Sequence, residues 1–157
     1  MMDNKMERAQ QVYKTLCSAI DARGWHYEKD EPELVAHFTV SGQDLPMKFI
    51  IFVDAQRQLV RLASPLLFKM SESKRMEGAI ATCVATYTMT DGSFDYDLSD
   101  GEIVFRMAAT YRESILGDGL FQYMIYCAGA TVDKYNDLFL ALDKGLISIA
   151  DFIEKVS

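Results

Sequence analysis

The chain is poor in the residues that most metal, disulfide and proton-transfer chemistry requires. It has two histidines, His26 and His37, and three cysteines, Cys17, Cys83 and Cys127, which are odd in number and far apart. No Cys-x-x-Cys pair occurs, so a structural zinc site lacks its ligand spacing and a disulfide framework lacks partners. All three thiols are read as small core residues in a reducing compartment. No apolar run approaches the length of a membrane span, and the first residues, "MMDNKMERAQQ", lack the apolar centre of a signal peptide. The one small basic group, Lys69, Lys74 and Arg75, is interrupted by Glu72, and the formal charge is −7. That balance argues against nucleic-acid or anionic-membrane partners, because phosphate binding draws on clustered Lys and Arg. A cytoplasmic location is the simplest expectation. Gly-x-Ser-x-Gly, Walker and Rossmann patterns are all missing, as are repeats, low-complexity tracts and long polar linkers.

What is present is apolar patterning. Half of the 157 residues are apolar and a quarter are charged, enough for one compact domain with a substantial core, and residues 1–157 are read as that single domain. The stretch "DYDLSDGEIVF", residues 95–105, gathers Asp95, Asp97, Asp100 and Glu102 beside a glycine and invites a calcium-loop reading. An EF-hand needs glycine sixth and glutamate twelfth; counted from Asp95, those places hold Asp100 and Arg106. Period two on both sides explains the stretch instead. Phe94, Tyr96 and Leu98 alternate with Ser93, Asp95 and Asp97, and Ile103, Phe105, Met107 and Ala109 alternate with Glu102, Val104, Arg106 and Ala108. Ser99, Asp100 and Gly101 are turn formers, so the segment predicts a β-hairpin with a solvated acidic tip and no metal.

Ahead of the hairpin, "DNKMERAQQVYKTLCSAIDARG" predicts a first helix stopped by Gly24. Three or four strands follow, "WHYEKD", "ELVAHFTV", "PMKFIIFVD" and "QLVRLAS", with connections short enough for an antiparallel meander. "SESKRMEGAIATCVATYTM" predicts a second helix capped by Ser71 or Ser73, with Met76, Ile80, Cys83, Val84 and Tyr87 sharing a face. A long helix runs from near Asp118 to about Leu142, closed by Gly145, and Ser148 caps a short final one over about 148–156, with Ile149, Phe152, Ile153 and Val156 as its apolar side. The order is α-β-β-β-(β)-α-β-β-α-α. Strands and helices come in blocks, which predicts an α+β fold: a β-meander plus a β-hairpin in one antiparallel sheet packed with helices.

With that order in place, "DGSFDYDLSDGEIVFRMAATYRE", followed by "LFQYMIYCAGATVDKYNDLFLAL", resembles the carboxy-terminal half of the YbjN-like family, whose members are also labelled bacterial sensory transduction regulators. The resemblance runs from about Met70 to Leu142, with a looser match in "MKFIIFVD" and "QLVRLAS". It implies a type III secretion chaperone-like fold and a bacterial cytoplasmic protein that works by contact with other proteins. It implies no catalytic residue and no cofactor.

Excess apolar surface points the same way. In "MKFIIFVD", Met47, Phe49, Ile51 and Val53 make one face, yet Ile50 and Phe52 occupy the face that a one-sided sheet leaves polar. Val104 extends that second row from the hairpin. Ile50, Phe52 and Val104 are therefore the candidate protein-interaction residues, covered by a partner protein, by a second copy in a homodimer, or by a helix of the same chain. An enzyme would have to use His26 or His37, Ser93, or the pair Asp95 and Asp97, none of which has a recognisable companion group. A small-molecule sensor would line its pocket with Tyr13, Trp25, Tyr27 and some of the nine methionines.

Overall fold

The structure is a computed structural model that describes residues 2–157. Six strands form one antiparallel sheet: β1 (Glu28–Asp30), β2 (Val35–Ser41), β3 (Pro46–Asp54), β4 (Leu59–Lys69), β5 (Ser93–Tyr96) and β6 (Glu102–Thr110), in the spatial order β1-β2-β3-β4-β6-β5. Four helices complete it: α1 (Met2–Ala22), α2 (Arg75–Tyr87), α3 (Asp118–Asp143) and α4 (Ile149–Val156), with a 3-10 turn at Glu72–Lys74 leading into α2. The expected α+β order is present with four meander strands. Within "WHYEKD", only Glu28–Asp30 pair, and His26 lies outside any strand.

Alternation decides which face of the sheet is dry. Ala36 and Phe38 of β2, Phe49, Ile51 and Val53 of β3, Val60 and Leu62 of β4, Phe94 of β5, and Ile103 and Phe105 of β6 are all buried and belong to one cluster with the helices. Each large side chain among them contributes about 1.5–3 kcal/mol by leaving water. The helices α1 and α3 lie together over the middle of that face and are tied by Gln122 Nε2 donating to the Ala19 carbonyl at 2.7 Å and Arg23 Nε donating to Gln122 Oε1 at 2.6 Å. At the other end, α2 and α4 pack around Phe94, Phe139 and Phe152, whose rings meet at 5.1 and 5.3 Å.

The hairpin turn carries the acidic tip as expected, and its carboxylates are occupied as turn caps. Asp97 Oδ1 accepts from the Ser99 amide and hydroxyl at 2.9 and 2.6 Å; Asp100 accepts from the Glu102 amide at 2.9 Å and from Lys69 Nζ at 2.6 Å. Gly101 adopts φ +80° with its α-carbon against the Met70 backbone, so no side chain fits there. Two further expectations meet different outcomes. Ser148 caps α4 in a full capping box, exchanging bonds with Asp151 at 3.0 Å each way. Ser71 caps nothing with its side chain; its amide and hydroxyl donate to Asp143 at the end of α3, at 2.7 and 2.8 Å.

Candidate protein-interaction surface

The far face of the sheet is built from the residues between the buried ones. Register sets Ile50 between His37 and Ala63, Ala63 beside Arg106, and Arg106 beside Ser93; one rung away, Phe52 lies between Val35 and Arg61, with Ala108 beyond. All of these are half-buried or exposed, while the helix side of the same strands is dry. None of these residues belongs to the buried cluster that packs the sheet against the helices. A shallow cavity of about 580 Å³ opens on it, with Ile50, Phe52, Ala63 and Ala108 as its apolar lining and Arg61, Asp95 and Arg106 at its rim.

The charged groups of the rim are already neutralised in pairs. Arg61 reaches Asp54 at 3.2 Å and lies over the Phe52 ring at 5.2 Å, and Arg106 reaches Asp95 at 3.1 Å. What the face presents is an apolar centre with a self-satisfied polar border. Of the three sequence candidates, Ile50 and Phe52 come together in the cavity. Val104 is on the same face, paired with Pro65 and Asp95, but lies outside the cavity lining; it is 8% exposed and separate from the main core.

A second apolar surface escaped the sequence reading. Of the face expected on α2, Met76, Ile80, Cys83 and Tyr87 point to solvent, with Met76 68% and Tyr87 91% exposed, while Val84 is partly buried against the core. The buried residues of α2 are Gly78, Ala81, Thr82 and Ala85. The reason is the closeness of α2 to β5. A Cβ on Gly78 would meet the Tyr96 ring and Met70, and Thr86 Oγ1 accepts from the Phe94 amide at 2.9 Å, closing the sheet edge. Small side chains permit that approach where a row of Met, Ile and Tyr would hold the helix away. The core reading of Cys83 is thereby corrected: it is exposed, whereas Cys17 is buried and Cys127 intermediate.

The remaining candidates are dispersed or occupied. Asp95 pairs with Arg106 and accepts from Ser93 Oγ at 3.2 Å, and Asp97 caps the turn, so neither carboxylate is set up as an acid or base. The sensor residues do not share a cavity. Tyr13 donates to the Val35 carbonyl at 2.8 Å, Tyr27 donates to Asp21 at 2.9 Å, and Trp25 lies under Arg23 at 4.8 Å beside a separate cleft of about 450 Å³. Burial is the main cause that pushes the Tyr13 and Tyr27 phenols well above their ordinary value, so both stay neutral donors. Among the described residues, no three His, Cys, Asp or Glu side chains converge as metal ligands, and no helix is long and apolar enough to cross a membrane.

This architecture has solved counterparts. The chain is similar to a chain in the crystal structure of the ExsC–ExsE complex, with a TM-score of 0.58 and 12% identity over 82% of this chain and 93% of that one. It is also similar to a chain in the HopA1–SchA chaperone–effector complex, with a TM-score of 0.50 and 11% identity over 89% of this chain and 94% of that one. No protein-family model and no curated protein matches the sequence. At these identities the likeness is one of fold: the α+β arrangement of one antiparallel sheet packed with helices is shared with the chains in these two complexes.

Proposed function

We propose that this protein is a non-catalytic interaction module, chaperone-like or regulatory in role, that holds a segment of another protein on the outer face of its sheet. The observation that carries the reading is the uncovered apolar centre of that face, Ile50 and Phe52 with Ala63 and Ala108, opposite a fully packed helix layer. An apolar patch bordered by polar groups is the usual form of a protein contact. Support comes also from the fold neighbours, both of which are found in two-protein complexes, one of them described as chaperone and effector. A small-molecule pocket would need a few convergent polar groups free to orient a ligand. Here the rim's Arg61, Arg106 and Asp95 are engaged in ion pairs within the chain. Membership of the YbjN-like group and a cytoplasmic place of action belong to the same proposal and rest on the sequence resemblance.

The test is paired affinity capture from cells that express the protein, with wild type and the Ile50→Thr/Phe52→Thr variant as baits. Thr keeps the strand propensity while removing most of the apolar area. A protein retained by wild type and lost by a variant of unchanged melting temperature supports the reading. A partner retained equally by both baits places the contact elsewhere and overturns it.

A further inference from the structure

The cleft of about 450 Å³ on the helix side of the sheet lies apart from the outer face and holds groups that the fold leaves unused. It opens between the end of α1, the β2–β3 hairpin and α3. Gly24, at φ +70°, ends α1 and turns the chain so that Trp25 lies under Arg23, with its ring 5.4 Å from that of Phe38. Arg23 is held by three contacts. Its Nε donates to Gln122 Oε1 at 2.6 Å, its Nη2 donates to the Gln122 carbonyl at 3.2 Å, and the guanidinium stacks on the indole at 4.8 Å. All three partners are neutral. Among the described residues no carboxylate pairs with Arg23, whereas Arg61 and Arg106 on the outer face each have one. A guanidinium fixed in place without a counter-ion is preorganised for an anion from outside the chain.

The rest of the cleft is mainly apolar. Trp25, Val40, Met47, Phe49, Ile125 and Tyr126 line it, and Gly129 adds a stretch of bare helix backbone. A glycine inside a helix weakens it, and close approach of another group is the usual reason to keep one. No group of the chain approaches here: a Cβ on Gly129 would meet nothing of another element within 4 Å, whereas one on Gly78 would run into Tyr96. The middle of α3 therefore keeps room for something from outside. Asp133, the one carboxylate of the lining, lies about 16 Å from Gln122 along the axis of α3 at the helical rise per residue. Its Oδ1 already accepts from the Gln43 amide at 2.8 Å. An anion is thus favoured at the Arg23 end and repelled at the other. One guanidinium suits a singly charged group, while a phosphate calls for several donors. We propose that this cleft binds an apolar molecule ending in a carboxylate, its charge on Arg23 and its body along Trp25, Phe49 and the Gly129 backbone. The volume falls within the roughly 300–1,000 Å³ usual for small-ligand sites. Ile50 and Phe52 lie on the opposite side of the sheet, so this ligand and a protein segment on the outer face do not compete.

Trp25 is the only tryptophan of the chain, so its fluorescence reports on the cleft directly. Octanoate and octanol are titrated into the full chain, with Trp25 emission and calorimetry as readouts. Octanoate is expected to bind saturably with one-to-one stoichiometry, and octanol, which keeps the tail without the charge, at least about tenfold more weakly. Arg23→Gln should weaken octanoate by at least about the same factor and leave octanol unchanged. Gly129→Leu fills the cleft and should abolish binding of both, with a melting temperature no lower than wild type. If Arg23→Gln does not fold, the octanol comparison and Gly129→Leu carry the same test. A peptide with an apolar last residue, free or amidated at its carboxy terminus, separates the two sources of such a carboxylate. Tighter binding of the free-ended peptide than of octanoate supports the site and assigns it to a chain terminus; weaker binding supports it and assigns it to a free small molecule. Absence of saturable binding by octanoate and by the free-ended peptide at millimolar concentration overturns the proposal. So does octanoate binding that survives Gly129→Leu but is lost in Ile50→Thr/Phe52→Thr, since the ligand would then sit on the outer face.

Discussion

Asp100 and Asp151 show what a single carboxylate does for a turn or a helix start. Asp100 lies in the acidic turn that invites a calcium reading and Asp151 in the first turn of α4, and each is engaged by donors within the chain. Lys69 Nζ and the Glu102 amide hold Asp100 below its ordinary 3.8, and the Ser148 amide and hydroxyl do the same for Asp151. A carboxyl whose folded pKa is depressed contributes stability that is complete above the unfolded value and is lost as pH falls through the lower folded value. The double variant Asp100→Asn/Asp151→Asn is therefore expected to melt below wild type at neutral pH and to converge with it under acid. The gap should close as pH falls through the ordinary carboxylate range near 4 and below it, followed as melting temperature by circular dichroism. A gap that is constant across that range would assign the loss to something other than ionisation. The capping role of Ser148 was legible because Ser-x-x-Asp ahead of an apolar run has a local cause. The Lys69–Asp100 pair was not, since it joins residues brought together by strand register.

Secondary structure is where sequence and structure agree best and where the most instructive failure sits. The β3 strand matches its expected bounds, Pro46–Asp54, because period-two patterning with bulky residues on both faces leaves little alternative. By contrast, β4 runs on to Lys69, through Pro65, although a proline usually ends a strand. Its pairing with β3 stops at Ala63, Ser64 Oγ instead donates to the Lys48 carbonyl at 2.7 Å, and the register with β6 shifts between Pro65 and Lys69. The missing amide thus falls where the ladder has already opened. For α2 the apolar stripe was correctly found and its direction was not, because periodicity reports a face without reporting what lies on it. The small residues Gly78, Ala81 and Ala85 were the available signal for a close-packed side. Ala85→Leu is expected to cost about 1–3 kcal/mol by overpacking against β5 and α4, measured by urea unfolding. A change within about 0.5 kcal/mol would mean that this side of α2 has room and that its orientation has another cause.

At the scale of the whole molecule, the sheet divides the protein into a dry side that holds the main core and an outer side on which Ile50 and Phe52 stay outside that core. That division was legible in Ile50 and Phe52, whose position on the wrong side of an alternating strand is a local fact. Whether a helix returned to cover them was not, since helix placement depends on long-range packing that no window of sequence contains. Binding of a protein segment on the open side is checked by an affinity comparison. Peptides are selected by display on the wild-type protein, and the tightest is titrated calorimetrically into wild type and into Ile50→Thr/Phe52→Thr. The expected peptide bears several apolar side chains and is bound at least about tenfold more weakly by the variant, a difference of about 1.4 kcal/mol, with both proteins melting at the same temperature. Equal affinity for the two proteins would contradict it.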